Sequence, residues 1–148
     1  VILAPFEKAH AEELLAEGIN DERARPTFGV DVLGDFSQPD MAYTFIDRGH
    51  LIAISGVQPL YPGVGEAWLI GSDRLSAHRV SVSRTCRRWM RKIANEEGLH
   101  RVQAHMKTDW AELMRWAQFL GMEREGTIKQ MTPDREDYDL WAWINNGR

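Results

Sequence analysis

The chain has 148 residues, 43% hydrophobic and 27% charged, which predicts one globular domain over residues 1–148 with a core of ordinary size. No apolar run approaches the ~20 residues that a membrane helix needs, and none has the charged, apolar, small-residue order of a signal peptide. Net charge is −4 and Cys86 is the one cysteine, so no disulfide can close within the chain and a reducing, non-secreted location is expected.

Residues 1–4 read as a short first strand. Residues 6–17 read as a helix with Leu14 and Leu15 inward and Gly18 as its stop. Residues 21–40, interrupted by Pro26, Gly29, Gly34 and Pro39, predict short turns of helix or loop. Strands follow over residues 41–47 and 51–57, joined by a turn at Arg48 and Gly49. Pro59, Pro62, Gly63 and Gly65 mark the next tight link, to a strand over residues 66–70. Such short links make these three strands an antiparallel meander that ends at Ser72.

The hydrophobic period then changes from two to three and four. Val82, Cys86, Trp89, Met90 and Ile93 form a helical apolar stripe, and Gly98 ends the helix. A strand over residues 101–106 precedes a second amphipathic helix, with Asp109 and Glu112 as a capping box or Thr108 as the alternative cap. In that helix Trp110, Leu113, Met114, Trp116, Ala117 and Leu120 predict burial on more than one side, and Gly121 is the stop. A closing hairpin spans residues 122–130, a turn at Pro133 and Asp134, and residues 137–145. Along its second strand Tyr138, Leu140, Ala142 and Ile144 alternate with Asp139, Trp141 and Trp143. The two tryptophans share a face and read as sheet packing, or as a partner surface if both are exposed.

Charge is unevenly spread. Residues 1–75 carry 12 acids and 5 bases, a balance of −7, whereas residues 76–148 carry 10 acids and 13 bases, a balance of +3. The excess sits in Arg79, Arg84, Arg87, Arg88, Arg91 and Lys92. Such a segment is a solvated helix face, or a surface for phosphate, nucleic acid or an acidic protein. Overall acidity and the lack of a DNA-reading motif argue against nucleic acid. No metal site is expected, because the five histidines lack HExxH or CxxC spacing and His100 and His105 fall on opposite strand faces. Cys86 reads as a small buried hydrophobe.

The element order, with HRVQAH at 100–105, Thr108 and Asp109, and FLGMEREG at 119–126, resembles the GNAT (Gcn5-related N-acetyltransferase) superfamily. These runs match its fifth strand, fourth helix and the LGF-x-x-EG start of its sixth strand. The resemblance is strongest from Gly65 to Ile144. It implies an α/β (α+β) fold: a mixed, mostly antiparallel, twisted sheet of about six to seven strands, helices on both faces, and a splayed parallel pair near the middle. It also implies acetyl-coenzyme A as cofactor and Glu66 as general base. Trp68, Leu69, Ile70, Arg74, Arg79, Ser81, Arg84 and Asp109 would lie along the cofactor.

Two GNAT features are replaced here. The R/Q-x-x-G-x-G/A loop, whose consecutive amides hold the pyrophosphate beside a helix N-terminus, corresponds to residues 71–83. That stretch is longer, contains no G-x-G and carries Asp73. Arg74, His78 and Arg79 would act there as point charges, and Ser81 or Ser83 as helix caps. The tyrosine that many members use to protonate the leaving thiolate corresponds to Ala117.

A closer resemblance is to small GNAT-like internal virion or assembly proteins of short-tailed (T7-like) bacteriophages. It is carried by Trp68, Ser72 and Asp73 and by the late start of the basic helix. It implies a virion or host-cytoplasm location. It also implies other virion proteins, or further copies of the chain, as partners through the basic helix 79–92 and exposed aromatics. The leading expectation is a virion or assembly protein that keeps the fold as a scaffold without acetyl transfer. The alternatives are an active acetyl-coenzyme A-dependent N-acetyltransferase and a module that holds the nucleotide without turnover.

Overall fold

The computed structural model describes residues 1–17 and 41–146; the expectations for Gly18 and for residues 21–40 lie outside them. In chain order the elements are β1 (Ile2–Pro5), α1 (Lys8–Glu17), β2 (Ala42–Asp47), β3 (His50–Tyr61) and β4 (Val64–Gly71). A 3-10 turn (Leu75–His78) leads into α2 (Arg79–Glu96), followed by β5 (Arg101–Lys107), α3 (Ala111–Phe119), β6 (Glu123–Ile128) and β7 (Tyr138–Ile144). The strands form one seven-stranded sheet in the order β1-β2-β3-β4-β5-β7-β6. β4 and β5 pair in parallel, whereas β1–β2, β2–β3, β5–β7 and β6–β7 are antiparallel. The architecture is therefore the expected mixed α+β sheet with helices.

The chain divides into two compact units, and every strand pairing above falls within one or the other. The first comprises Val1–Gln58 and Trp68–Thr85, the second Pro59–Ala67 and Cys86–Arg148. In the first unit Arg48 (φ 51°) and Gly49 (φ 79°) are both left-handed, the pair of positive φ values that a two-residue type I′ hairpin requires. Gly56 faces Ala42 across β2 and β3. A Cβ there would lie 2.6 Å from the Met41 carbonyl oxygen and 2.8 Å from the Ala42 methyl, so only glycine lets the strands approach. α1 turns Ala11 and Leu14 into a cluster with Leu51, Ile54 and Ile70, against which Phe6, Leu15, Ile46 and Trp68 pack. Phe6 and Trp68 meet edge to face at 5.8 Å between centroids.

The second unit is built on β5. Val102, Ala104 and Met106 are buried, and Arg101, Gln103, His105 and Lys107 occupy the other face at half burial. α2 buries the predicted stripe of Cys86, Met90 and Ile93 here, with Val82 buried in the first unit and Trp89 half-buried. The helix runs one turn past the basic segment. It closes as the Leu99 amide donates to the Ala94 carbonyl at 2.7 Å, around Gly98 at φ 68°.

The caps expected for α3 fail. α3 has no capping box: Trp110 holds the N-cap position without a side-chain cap bond, and Asp109 stands outside the helix at φ 67°. Nor does Thr108 cap it. Its hydroxyl donates to Asp139 at 3.2 Å, as does that of Thr127 at 2.7 Å, while Arg124 Nε approaches the other oxygen at 3.3 Å. Asp139 is only 2% exposed, and a buried carboxylate without donors costs more than an uncapped helix end in contact with water. Of the two readings offered for Trp141 and Trp143, sheet packing is the one met. Trp141 is buried, and Trp143 is half-buried with the Arg91 guanidinium 5.7 Å from its ring. Of the apolar positions predicted for this helix, Ala117 and Leu120 at its C-cap are buried, and Trp110, Leu113, Met114 and Trp116 are half-buried.

Candidate active site and phosphate loop

The ladder between β4 and β5 runs from Val64↔Arg101 to Glu66↔Gln103. Where it ends, the Glu66 side chain takes over. Its Oε2 accepts the His105 amide at 3.2 Å and meets His105 Nδ1 at 2.6 Å, and its Oε1 accepts from Gln103 Nε2 at 3.1 Å. The carboxylate thus supplies an acceptor to β5 where its pairing with β4 stops. Gln103 is oriented by Arg101, whose Nε donates to Gln103 Oε1 at 2.8 Å while its two terminal nitrogens grip Glu125 at 2.9 and 2.5 Å. Glu66 and His105 are each partly open to solvent. The hydrogen bond to Glu66 raises the His105 pKa above the ordinary imidazole value, against the opposing pull of burial. Chemically this is a carboxylate–imidazole pair that can accept and hold a proton.

The segment after β4, in the first unit, has a different character. Ser72 is fully buried. Its hydroxyl lies 2.8 and 3.0 Å from the Leu51 and Ile52 carbonyls, donating between them, and accepts the Arg74 amide at 3.2 Å. The Ser72 amide donates to the Ile52 carbonyl at 2.9 Å, the Leu75 amide to Ser72 at 3.1 Å and the Ala77 amide to Arg74 at 3.3 Å. The amides of residues 72, 74, 75 and 77 are therefore all used internally. Leu75 also folds over Gly71, where it would collide with any Cβ.

Ser81 and Ser83 do not cap α2. They donate to the carbonyls of His78 (3.1 Å) and Arg79 (2.6 Å), because the 3-10 turn runs straight into the helix and leaves no free end at either serine. His78 lies 3.4 Å from Asp47. Arg74 is half-buried, and Arg79, Arg84 and Asp73 are exposed.

Solved structures share this architecture. Ard1 from Thermoplasma volcanium matches with a TM-score of 0.81 at 13% identity, over 97% of this chain and 96% of that one. The ribosomal-protein-alanine N-acetyltransferase from Brucella melitensis matches at 0.74 and 17%, over 97% and 99%. A GNAT-family acetyltransferase from Bacillus anthracis matches at 0.73 and 15%, over 96% and 93%. The chain has the GNAT fold. No family model and no curated protein matches its sequence.

Within the GNAT fold the predicted site residues separate. Glu66 joins a cluster with His105, Gln103 and Arg101. Trp68 and Ile70 turn their side chains into the core of the first unit, the Trp68 carbonyl accepts from Ser55 Oγ at 2.9 Å, and Leu69 points to the other strand face at half burial. Asp109 is exposed at its left-handed turn. A pyrophosphate needs several unbonded amides converging on it, and the amides of residues 72, 74, 75 and 77 are already spent within the chain. His105 and Gln103 escaped the sequence reading. Their one signal was the period-two run of polar residues at 101, 103, 105 and 107. Among the described residues, no group of three or more His, Cys, Asp or Glu is placed to hold a metal, and no helix is long and apolar enough to cross a membrane.

Proposed function

We propose that this chain is a virion or assembly component of a short-tailed bacteriophage that uses the GNAT fold as a framework and does not transfer acetyl groups. The observation that carries the second half of this reading is the internal use of the amides of Ser72, Arg74, Leu75 and Ala77. Freeing them for a diphosphate would break four hydrogen bonds, three of them at the fully buried Ser72, at about 0.5–1.5 kcal/mol each. The phage half is supported by the likeness at Trp68, Ser72 and Asp73. Trp68 fills the core and Ser72 ties the loop to β3, so two of the three signature residues have framework roles.

Isothermal titration with acetyl-coenzyme A tests the first point: no heat is expected at millimolar ligand, and micromolar affinity would refute the framework reading. Quantitative mass spectrometry of purified particles tests the second, with a fixed symmetric copy number expected. Absence from both particles and assembly intermediates would remove it.

The Glu66–His105 contact favours one second reading, an active N-acetyltransferase in which this pair takes the proton from an acceptor amine. In that case Glu66→Gln abolishes thiol release from acetyl-coenzyme A; under the framework reading there is none to abolish.

A further inference from the structure

We infer that a second copy of this chain docks on the arginine face of α2 through the acidic face of its α1. Arg84, Arg87, Arg88 and Arg91 are spaced i, i+3, i+4 and i+7, so they form one stripe along the helix. Val82, Cys86, Met90, Ile93 and Ala94 are the buried residues of that helix's apolar side. Arg84, Arg87 and Arg88 are exposed and Arg91 is half-buried. Residues 79–95 contain no acid, and among the described residues the ion pair on this helix is Lys92–Glu96. Like charges three and four residues apart repel, so the stripe attracts carboxylates from outside the helix.

Two of the guanidinium groups are already positioned. Arg87 lies over the Phe119 ring at 5.4 Å and Arg91 over the Trp143 ring at 5.7 Å. Each therefore has less rotamer freedom to lose when it forks onto a carboxylate.

The complementary surface is on the same chain. α1 buries Ala11 and Leu14 and presents Glu12 and Glu13 to solvent, with Glu7 exposed just ahead of it. A chain of net charge −4 repels a nucleic acid at long range, yet it carries patches of both signs, which steer two copies together. Contacts between unlike faces build rings or open chains. This inference rests on the charge layout alone and stands or falls independently of acetyl transfer.

Sedimentation velocity on the full chain tests it at about 0.05 M and about 0.5 M salt, which shortens the Debye length by roughly threefold. Self-association is expected at the lower salt, with a dissociation constant at least about tenfold weaker at the higher. Arg87→Glu with Arg88→Glu is expected to be monomeric, as is Glu12→Arg with Glu13→Arg, and an equimolar mixture of the two restores a complex. If a reversed pair fails to give the parent circular dichroism, Arg87→Gln with Arg88→Gln replaces it and predicts the same loss. A parent chain that stays monomeric at low salt overturns the inference. So does an arginine variant that associates like the parent, a mixture that restores nothing, or duplex DNA that displaces the self-complex.

Discussion

Glu66 and His105 are 39 positions apart, yet their side chains meet at 2.6 Å. Because that contact raises the His105 pKa, the charged imidazole is favoured in the folded chain. The stability it adds is full below the ordinary imidazole value and is lost as pH rises through the raised one. NMR titration of the His105 ring should therefore give a pKa above the ordinary value, and Glu66→Gln should bring it down. A ring that titrates at or below the ordinary value would show that the contact does not hold in solution. Glu66 was legible as a candidate general base through the GNAT resemblance. His105 was not, since alternation assigns a residue to a strand face without naming the neighbour that a parallel register brings beside it.

Strands and helices were the most readable parts, because periods of two and of three to four are local properties of the chain. The start of α3 was misread for an equally physical reason: the pattern at Asp109 and Glu112 suits a cap, but the left-handed turn at Asp109 and the donors needed by buried Asp139 override it. Replacing Asp109 by Ala should then cost only the left-handed backbone that alanine adopts less readily than aspartate, about 1 kcal/mol. Asp139→Ala, which leaves Thr108 and Thr127 without their acceptor, should cost about 2–4 kcal/mol. Urea denaturation of the two variants measures both costs, and equal losses would contradict the present account. Gly56 is an element-level constraint of another kind. The atoms a Cβ would strike are the Met41 carbonyl and the Ala42 backbone and methyl, none of which can rotate aside, so Gly56→Ala should destabilise by about 1–3 kcal/mol or more. Thermal unfolding that matches the parent chain would mean that β2 and β3 move apart without cost.

Across the whole molecule, the order of elements and the glycines that end them pointed to the GNAT fold, and the strand order agrees with it. Charge counting located the arginine stripe and the acidic first half without coordinates, because charge is additive along a chain. Spacing also marked which faces turn inward, as Leu14, Cys86 and Ile93 illustrate. The missing G-x-G raised the question of the phosphate loop but could not answer it, since amides without flanking glycines can still point outward. What tertiary structure adds is the pair of Leu51 and Ile52 carbonyls, about 20 residues back along the chain, which β3 brings against Ser72. Local patterning encodes burial and backbone freedom; which donor meets which acceptor depends on strands folding over one another, and that assignment set the chemistry the loop has left to offer.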